Sequence, residues 1–194
     1  MGIMRQAELF GHALGLPPGF TYAQNVISPE EQRALVANLK PLPFKEFEFV
    51  AGYKGKRRVV SFGWRYRFNE HRLERADDIP DFLQPLRKRA AELAGLDAQA
   101  LQQVLVTEYA PGAGIGWHKD RPIFGEVVGL SLLSPCKFRL RRKTGAGWQR
   151  ASIIVEPRSA YVLNGEVRDE WEHSIPAMES LRYSVTFRKF RDVV

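Results

Sequence analysis

TEYAPGAGIGWHKD, running from Thr107 to Asp120, reads as a strand, a Pro-Gly turn and a second extended segment that ends with His118 and Asp120 two positions apart. Along an extended strand alternate side chains share a face, about 6–7 Å apart at the backbone. An imidazole and a carboxylate placed that way can converge on one ion. A lone H-x-D pair also fits a solvated sheet edge, so a third donor must separate the two readings. The chain has four histidines, His12, His71, His118 and His173, and His173 stands far downstream in EWEHSIP, just ahead of another strand-like run. Two imidazoles and one carboxylate on one face of an ion, with the other positions open, form the ligand set used by non-haem Fe(II) oxygenases.

That later run is RYSVTFR, Arg182 to Arg188. At period two, Arg182, Ser184, Thr186 and Arg188 point one way and Tyr183, Val185 and Phe187 the other. The apolar face fits a core. A polar face with arginines at both ends needs no explanation on a solvated sheet. In a barrel mouth, two guanidinium groups folded inward make a receptacle for a small dicarboxylate.

H-x-D, a distant His and R-x5-R, in that order, resemble the AlkB family of Fe(II)- and 2-oxoglutarate-dependent dioxygenases. Tyr109 nine residues before His118, the APG turn after it and the Trp171-x-His173-Ser-Ile segment agree as well. The resemblance covers about residues 58 to 190. It implies an α+β, mainly β fold: a double-stranded β-helix (jelly roll, cupin-like) with two supporting helices and an N-terminal nucleotide-recognition lid. It also implies His118, Asp120 and His173 as ligands of Fe(II), with 2-oxoglutarate and O2 as cosubstrates. Arg182 then corresponds to the partner of the distal carboxylate of 2-oxoglutarate, with Tyr109 beside it, and Arg188 to the second arginine on the metal side. Ser184 and Thr186 share the inward face. Thr107 stands where relatives usually carry Asn, so one contact is smaller.

A length of 194 residues suits one domain with a substantial core. Its parts are expected to be an arm over 1–25, a lid over 44–70 and a jelly-roll core over 101–190. A hydrophobic content of 44% and a charged content of 26% are ordinary for a globular protein. A formal charge of +7 favours an anionic partner, nucleic acid first. Cys136 is the single cysteine, which excludes an internal disulfide and suits a reducing compartment. With no long apolar run and no leader pattern, the expectation is a soluble, cytoplasmic monomer without a membrane partner.

Ser28-Pro29-Glu30-Glu31 predicts a helix start, with Ser28 as cap, Pro29 first in the helix and Glu31 closing a capping box. Leu35, Val36 and Leu39 supply its apolar stripe, and Pro41 and Pro43 end it. A second helix is expected over 81–94, with Phe82, Leu86, Ala90 and Leu93 on one side and Gly95 as the stop. From Leu101 onward strands follow one another, divided at PGAG, SPC, KTGAG and NG.

Between the helices, FKEFEFVAGYKGKRRVVSFGWRYRF interleaves Lys54, Lys56, Arg57, Arg58, Arg65 and Arg67 with Tyr53, Phe62, Trp64, Tyr66 and Phe68. An amphipathic hairpin with its charges in water explains this composition. So does nucleic-acid contact, where cations neutralise phosphates and rings stack bases. A turn is expected across Gly52–Gly55. Under the resemblance this is the recognition lid. Trp64 is then the ring that stacks on the substrate base opposite His118, Tyr66 joins it, and Arg57 and Arg58 contact phosphate or anchor the loop.

The implied reaction couples decarboxylation of 2-oxoglutarate to hydroxylation of an N-alkyl carbon on a base, which then departs as an aldehyde. Alkylated DNA is the leading substrate, as in repair of alkylation damage. Alkylated RNA, including tRNA, and etheno adducts follow closely, because Pro122 stands where some DNA-repair members carry an acidic residue and Glu126 lies too far along to replace it. Two further functions fit less well: an oxygenase directed at protein, and a non-catalytic nucleic-acid-binding barrel.

Overall fold

The computed structural model describes residues 15–48, 54–67 and 72–191. Most of the 1–25 arm, His12, His71, Tyr53, Phe68 and the first half of the Gly52–Gly55 turn lie outside them.

Helix α1 (Pro29–Leu39) begins as the sequence predicts. The Ser28 hydroxyl accepts from the Glu31 N–H at 3.1 Å, and the Glu31 carboxylate accepts from the Ser28 N–H at 2.7 Å. Its stripe of Leu35, Val36 and Leu39 is buried. Helix α2 (Gln84–Ala94) follows a 3-10 turn over Asp81–Leu83 and stops at Gly95 in the left-handed region. The expected stripe meets the core: Leu86 and Ala90 are buried, Phe82 and Leu93 pack against it half-buried, and Leu83, Arg87 and Ala91 are buried beside them.

The strands are β1 (Phe20–Ala23), β2 (Lys45–Glu48), β3 (Lys54–Phe62), β4 (Trp64–Arg67), β5 (Arg72–Arg75), β6 (Leu101–Tyr109), β7 (Ile115–His118), β8 (Phe124–Leu132), β9 (Cys136–Thr144), β10 (Gly147–Val155), β11 (Ser159–Leu163), β12 (Glu172–Ile175) and β13 (Arg182–Phe190). A short helix α3 (Gly165–Asp169) precedes β12, so the Asn164-Gly165 pair starts a helix where the sequence suggested a plain turn. A seven-stranded sheet runs β1-β11-β8-β13-β6-β3-β2, a four-stranded sheet β10-β9-β12-β7, and β4-β5 form a separate ribbon. The two larger sheets make the jelly roll. The basic segment between the helices is thus divided: β2 and β3 extend the large sheet, and only β4 and β5 stand apart from it.

Two apolar clusters hold these layers. One joins α1 and α2 to the outer face of the large sheet through Leu39, Leu83, Leu86, Tyr183, Val185 and Phe187. The other fills the space between the sheets with Val127, Phe138, Leu140, Tyr161 and Leu163. Strand β13 lies between β6 and β8, and one of its faces belongs to each environment. Its odd-numbered apolar residues face the helices, which sends Arg182, Ser184, Thr186 and Arg188 into the roll.

Candidate active site

Strand pairing assembles the site before any side chain turns. His118 at the end of β7 is the Cα partner of His173 on β12, and their rings lie 4.2 Å apart at the centroids, tilted by 57°. Gly114 lets the preceding loop press onto β12, since a Cβ there would lie 2.7 Å from the Ile175 carbonyl oxygen. Asp120, just past β7, places Oδ2 3.8 Å from His173 Nε2. His118 Nδ1 sits 2.9 Å from the Gly116 carbonyl, which holds a proton on Nδ1 and leaves Nε2 as the donor atom.

Burial pushes the His173 imidazole down to about 3, helped by the neighbouring His118 ring, and burial also lowers His118 against the pull of Asp120. Both rings are therefore uncharged near neutrality, the form that binds a metal. Burial alone would raise Asp120, but Arg188, then the two histidines, hold it well below the usual carboxylate range. Arg188 donates from Nε to Asp120 Oδ1 at 2.8 Å and from Nη1 to Gln103 Oε1 at 2.9 Å. Among the described residues no group of three or more His, Cys, Asp or Glu side chains is gathered closely enough to hold a metal ion as they stand. The Asp120 carboxylate lies against Arg188.

Arg182 is fully buried. Its Nε donates to Ser131 Oγ at 2.9 Å, and its carbon Cζ lies 5.0 Å from the centre of the Tyr109 ring. Nη1 and Nη2 find no acceptor. An unsatisfied buried cation costs several kcal/mol in order of magnitude, and a carboxylate between those nitrogens would satisfy it. Those orphaned nitrogens are the feature of the site that fits a carboxylate ligand. The six inward positions Gln103, Thr107, Tyr109, Ser184, Thr186 and Arg188 line one cavity with His118, Asp120 and His173, and its volume is about 1380 Å³.

The recognition residues are distributed differently from expectation. Tyr66 lines the cavity, with the Arg121 guanidinium 4.7 Å from its ring centre. Arg57 lines it too, only 5% exposed and 3.8 Å above the Phe47 ring; burial lowers its pKa against the pull of Tyr109 and Asp120. Trp64 does not reach it. That ring packs edge-on against Phe190 at 5.7 Å, beneath Arg75, and borders a separate shallow cleft with Gln99 and Gln102. Phe190 in turn stacks on the wall residue Phe124, so Trp64 stands two rings behind the cavity surface. Arg58 points to the opposite face of β3, where it holds Glu108 at 2.7 Å, and Glu108 also accepts from the Tyr183 hydroxyl. It anchors the strand and is remote from the cavity. Pro122 lines the rim, and Glu126 pairs with Lys189 at 3.7 Å.

Four residues of the site escape a reading of the sequence. Gln103 continues the inward alternation of Thr107 and Tyr109, so the period-two pattern extended backward finds it. Ser131 and Tyr161 lie in runs that read as plain core; Tyr161, whose hydroxyl burial raises, faces Arg182 and rests where Gly129 leaves room, since a Cβ there would fall on its ring. Arg168 is buried and donates to the carbonyls of Arg121, Phe124 and Gly125, which pins the turn after Asp120.

Comparison with known proteins gives matching results. The profile of the 2OG-Fe(II) oxygenase superfamily matches residues 19–188. An alkylated DNA repair protein ALKBH8 homolog of Arabidopsis thaliana is 26% identical over 95% of this chain and 62% of its own length. The tRNA (carboxymethyluridine(34)-5-O)-methyltransferase ALKBH8 of Macaca fascicularis is 26% identical over 82% of this chain, which spans only 24% of that protein. The mouse mitochondrial alkB homolog 7 is 31% identical over 81% of this chain and 65% of its own length. In fold, the chain is similar to OsALKBH1 (TM-score 0.67, 15% identity, 90% of this chain and 98% of that one) and to a Pseudomonas putida prolyl-4-hydroxylase (TM-score 0.64, 11% identity, 98% and 100%).

Proposed function

The chain belongs to the 2OG-Fe(II) oxygenase superfamily, and on that premise we propose that it is a dioxygenase of the AlkB type that uses Fe(II), 2-oxoglutarate and O2 to remove N-alkyl groups from bases in nucleic acid, alkylated DNA first. The observation that carries this reading is the cavity. At about 1380 Å³ it exceeds the roughly 300–1,000 Å³ of an ordinary small-ligand pocket and leaves room for a nucleoside beside the cosubstrate. Nine lysine and arginine residues against four carboxylates line it, which suits a substrate that enters with its phosphates.

His118, Asp120 and His173 are the residues to hold the iron, and Arg182 with Tyr109 and Ser131 the residues to hold the distal carboxylate. When bound, iron with its cosubstrates supplies the oxidant for the N-alkyl carbon. The chain's own contribution is positional. Arg188 keeps Asp120 ionised and oriented, burial keeps both imidazoles neutral, and Tyr66 and Arg57 are placed to meet the base that has left its stack. No helix among the described residues is long and apolar enough to cross a membrane.

RNA is the second reading, favoured by Pro122, which lines the cavity at the position where some DNA-repair members carry an acidic residue. Mass spectrometry of products from methylated and etheno-adducted DNA and RNA oligonucleotides, incubated with iron, ascorbate and 2-oxoglutarate, separates the two. Loss of the alkyl mass with matching succinate is expected, and His173→Ala should abolish both. Succinate formed only with methylated peptides would overturn the nucleic-acid reading, and full activity of His173→Ala would overturn the ligand set.

A further inference from the structure

The outer face of the four-stranded sheet carries a charge pattern that the active site does not use. On β9 the outward residues are Lys137, Arg139, Arg141 and Lys143, and in register on β10 stand Ile154, Ser152, Arg150 and Trp148. Five cations therefore share this face with one carboxylate, Glu172, which accepts from Arg141 Nε at 2.6 Å. Two tryptophans are threaded among them. The Arg141 guanidinium lies 4.4 Å from the Trp117 ring centre and 4.1 Å from that of Trp148, and Arg139 lies 5.0 Å from Trp117.

Such a ladder stabilises a sheet by itself, but a merely structural ladder has no reason to leave its apolar members in water. Trp148 is 38% exposed and Ile154 50% exposed. Nor does it explain Lys137, Lys143 and Arg150, which are exposed and have no carboxylate partner among the described residues. Outward cations on β9 recur every second residue, about 7 Å apart and about 20 Å from first to last. That repeat is close to the separation of successive phosphates in an extended strand. Trp117 is also a wall residue of the cavity, one position before His118, so the face runs continuously to the mouth of the site.

We propose that this face is a docking track for single-stranded nucleic acid, in which Lys137, Lys143 and Arg150 neutralise phosphates and Trp148 stacks a base. Arg139 and Arg141, engaged by Ser174 and Glu172, hold the tryptophans in place. The track takes unmodified nucleotides flanking the target base, so it goes beyond the substrate reading above and is tested without turnover. Its chemistry is that of sequence-tolerant single-strand binders, a cationic groove with aromatic platforms.

The experiment is fluorescence anisotropy of labelled, unmodified oligo-uridine and oligo-thymidine against the whole protein, titrated over a range of salt. The Lys137→Glu/Lys143→Glu/Arg150→Glu variant should bind roughly tenfold or more weakly, with a shallower dependence of log affinity on log salt. Trp148→Ala should weaken binding several-fold and leave the salt slope unchanged. Substrate-independent consumption of 2-oxoglutarate should be the same in all variants, which reports that each is folded. Wild-type affinity in the triple variant overturns the proposal. So does equal wild-type binding to a polyglutamate peptide or to anionic vesicles, which would make the face a general anion or membrane surface. If the face binds oligonucleotides but no alkyl group is ever removed, the substrate reading fails and this one stands.

Discussion

Arg182 is a buried guanidinium with two unsatisfied nitrogens, and it stands next to Tyr109 and Tyr161. Arg182 is badly solvated until a carboxylate arrives. Replacing an unpaired buried charge by an apolar side chain of similar length is often neutral or stabilising. Arg182→Met should therefore keep or raise the melting temperature while eliminating 2-oxoglutarate-dependent turnover, as calorimetry and a succinate assay would show together. A marked fall in melting temperature would mean that Ser131 and its neighbours depend on the guanidinium for packing. Gly129 makes a subtler case. Gly129→Ala forces the Tyr161 ring aside, and the expected result is a KM for 2-oxoglutarate raised about tenfold with the fold intact, since the displaced ring adjoins Arg182.

At the scale of elements, the outer helices are fastened by a capping box that doubles as an inter-helix clasp. Arg89 on α2 donates to both carboxylate oxygens of Glu31, at 2.6 and 3.0 Å, and holds that carboxyl at about 2 against an ordinary 4.5. A carboxyl whose pKa is depressed on folding stabilises fully above its unfolded value and loses that contribution as pH falls through the folded one. The stability gap between the natural chain and Glu31→Gln should be largest above about pH 4.5 and shrink as pH approaches 2, measured as urea midpoints. Legibility also divides by element. RYSVTFR is readable because a strand with one face in a core has a strict two-residue alternation and nowhere to slip. The stripe of α2 is readable too, since Phe82, Leu86, Ala90 and Leu93 all meet the core, two of them buried and two packed against it. The place of Trp64 is not readable in the same way: aromatic and basic residues mark β4 as a recognition element, but which wall a ring faces depends on how the β4-β5 ribbon leaves the large sheet. No local pattern encodes that.

Across the whole molecule the excess of positive charge is arranged, and two places concentrate it: the cavity rim and the outer face of the small sheet. Phosphate contacts release counterions, so the KM for an oligonucleotide should rise steeply with salt while the KM for 2-oxoglutarate moves little, its arginine being buried. Parallel salt series for the two substrates check this. The global topology also accounts for how much of the site stays hidden in the sequence. His118, His173 and the arginines announce themselves by spacing, whereas Arg168 and Ser131 gain meaning only once distant strands and a five-residue helix meet around them.

The Asp120–Arg188 ion pair has a bearing on how such a protein is made and kept. With the carboxylate already neutralised by its own arginine and both imidazoles uncharged, the ligand set carries no mutual repulsion that an ion must quench. On the proposed ligand set the polypeptide should fold first and be loaded afterwards, unlike zinc-finger modules that collapse on demetallation. Chelators should then silence it reversibly, with reconstitution needing only ferrous salt and no refolding step.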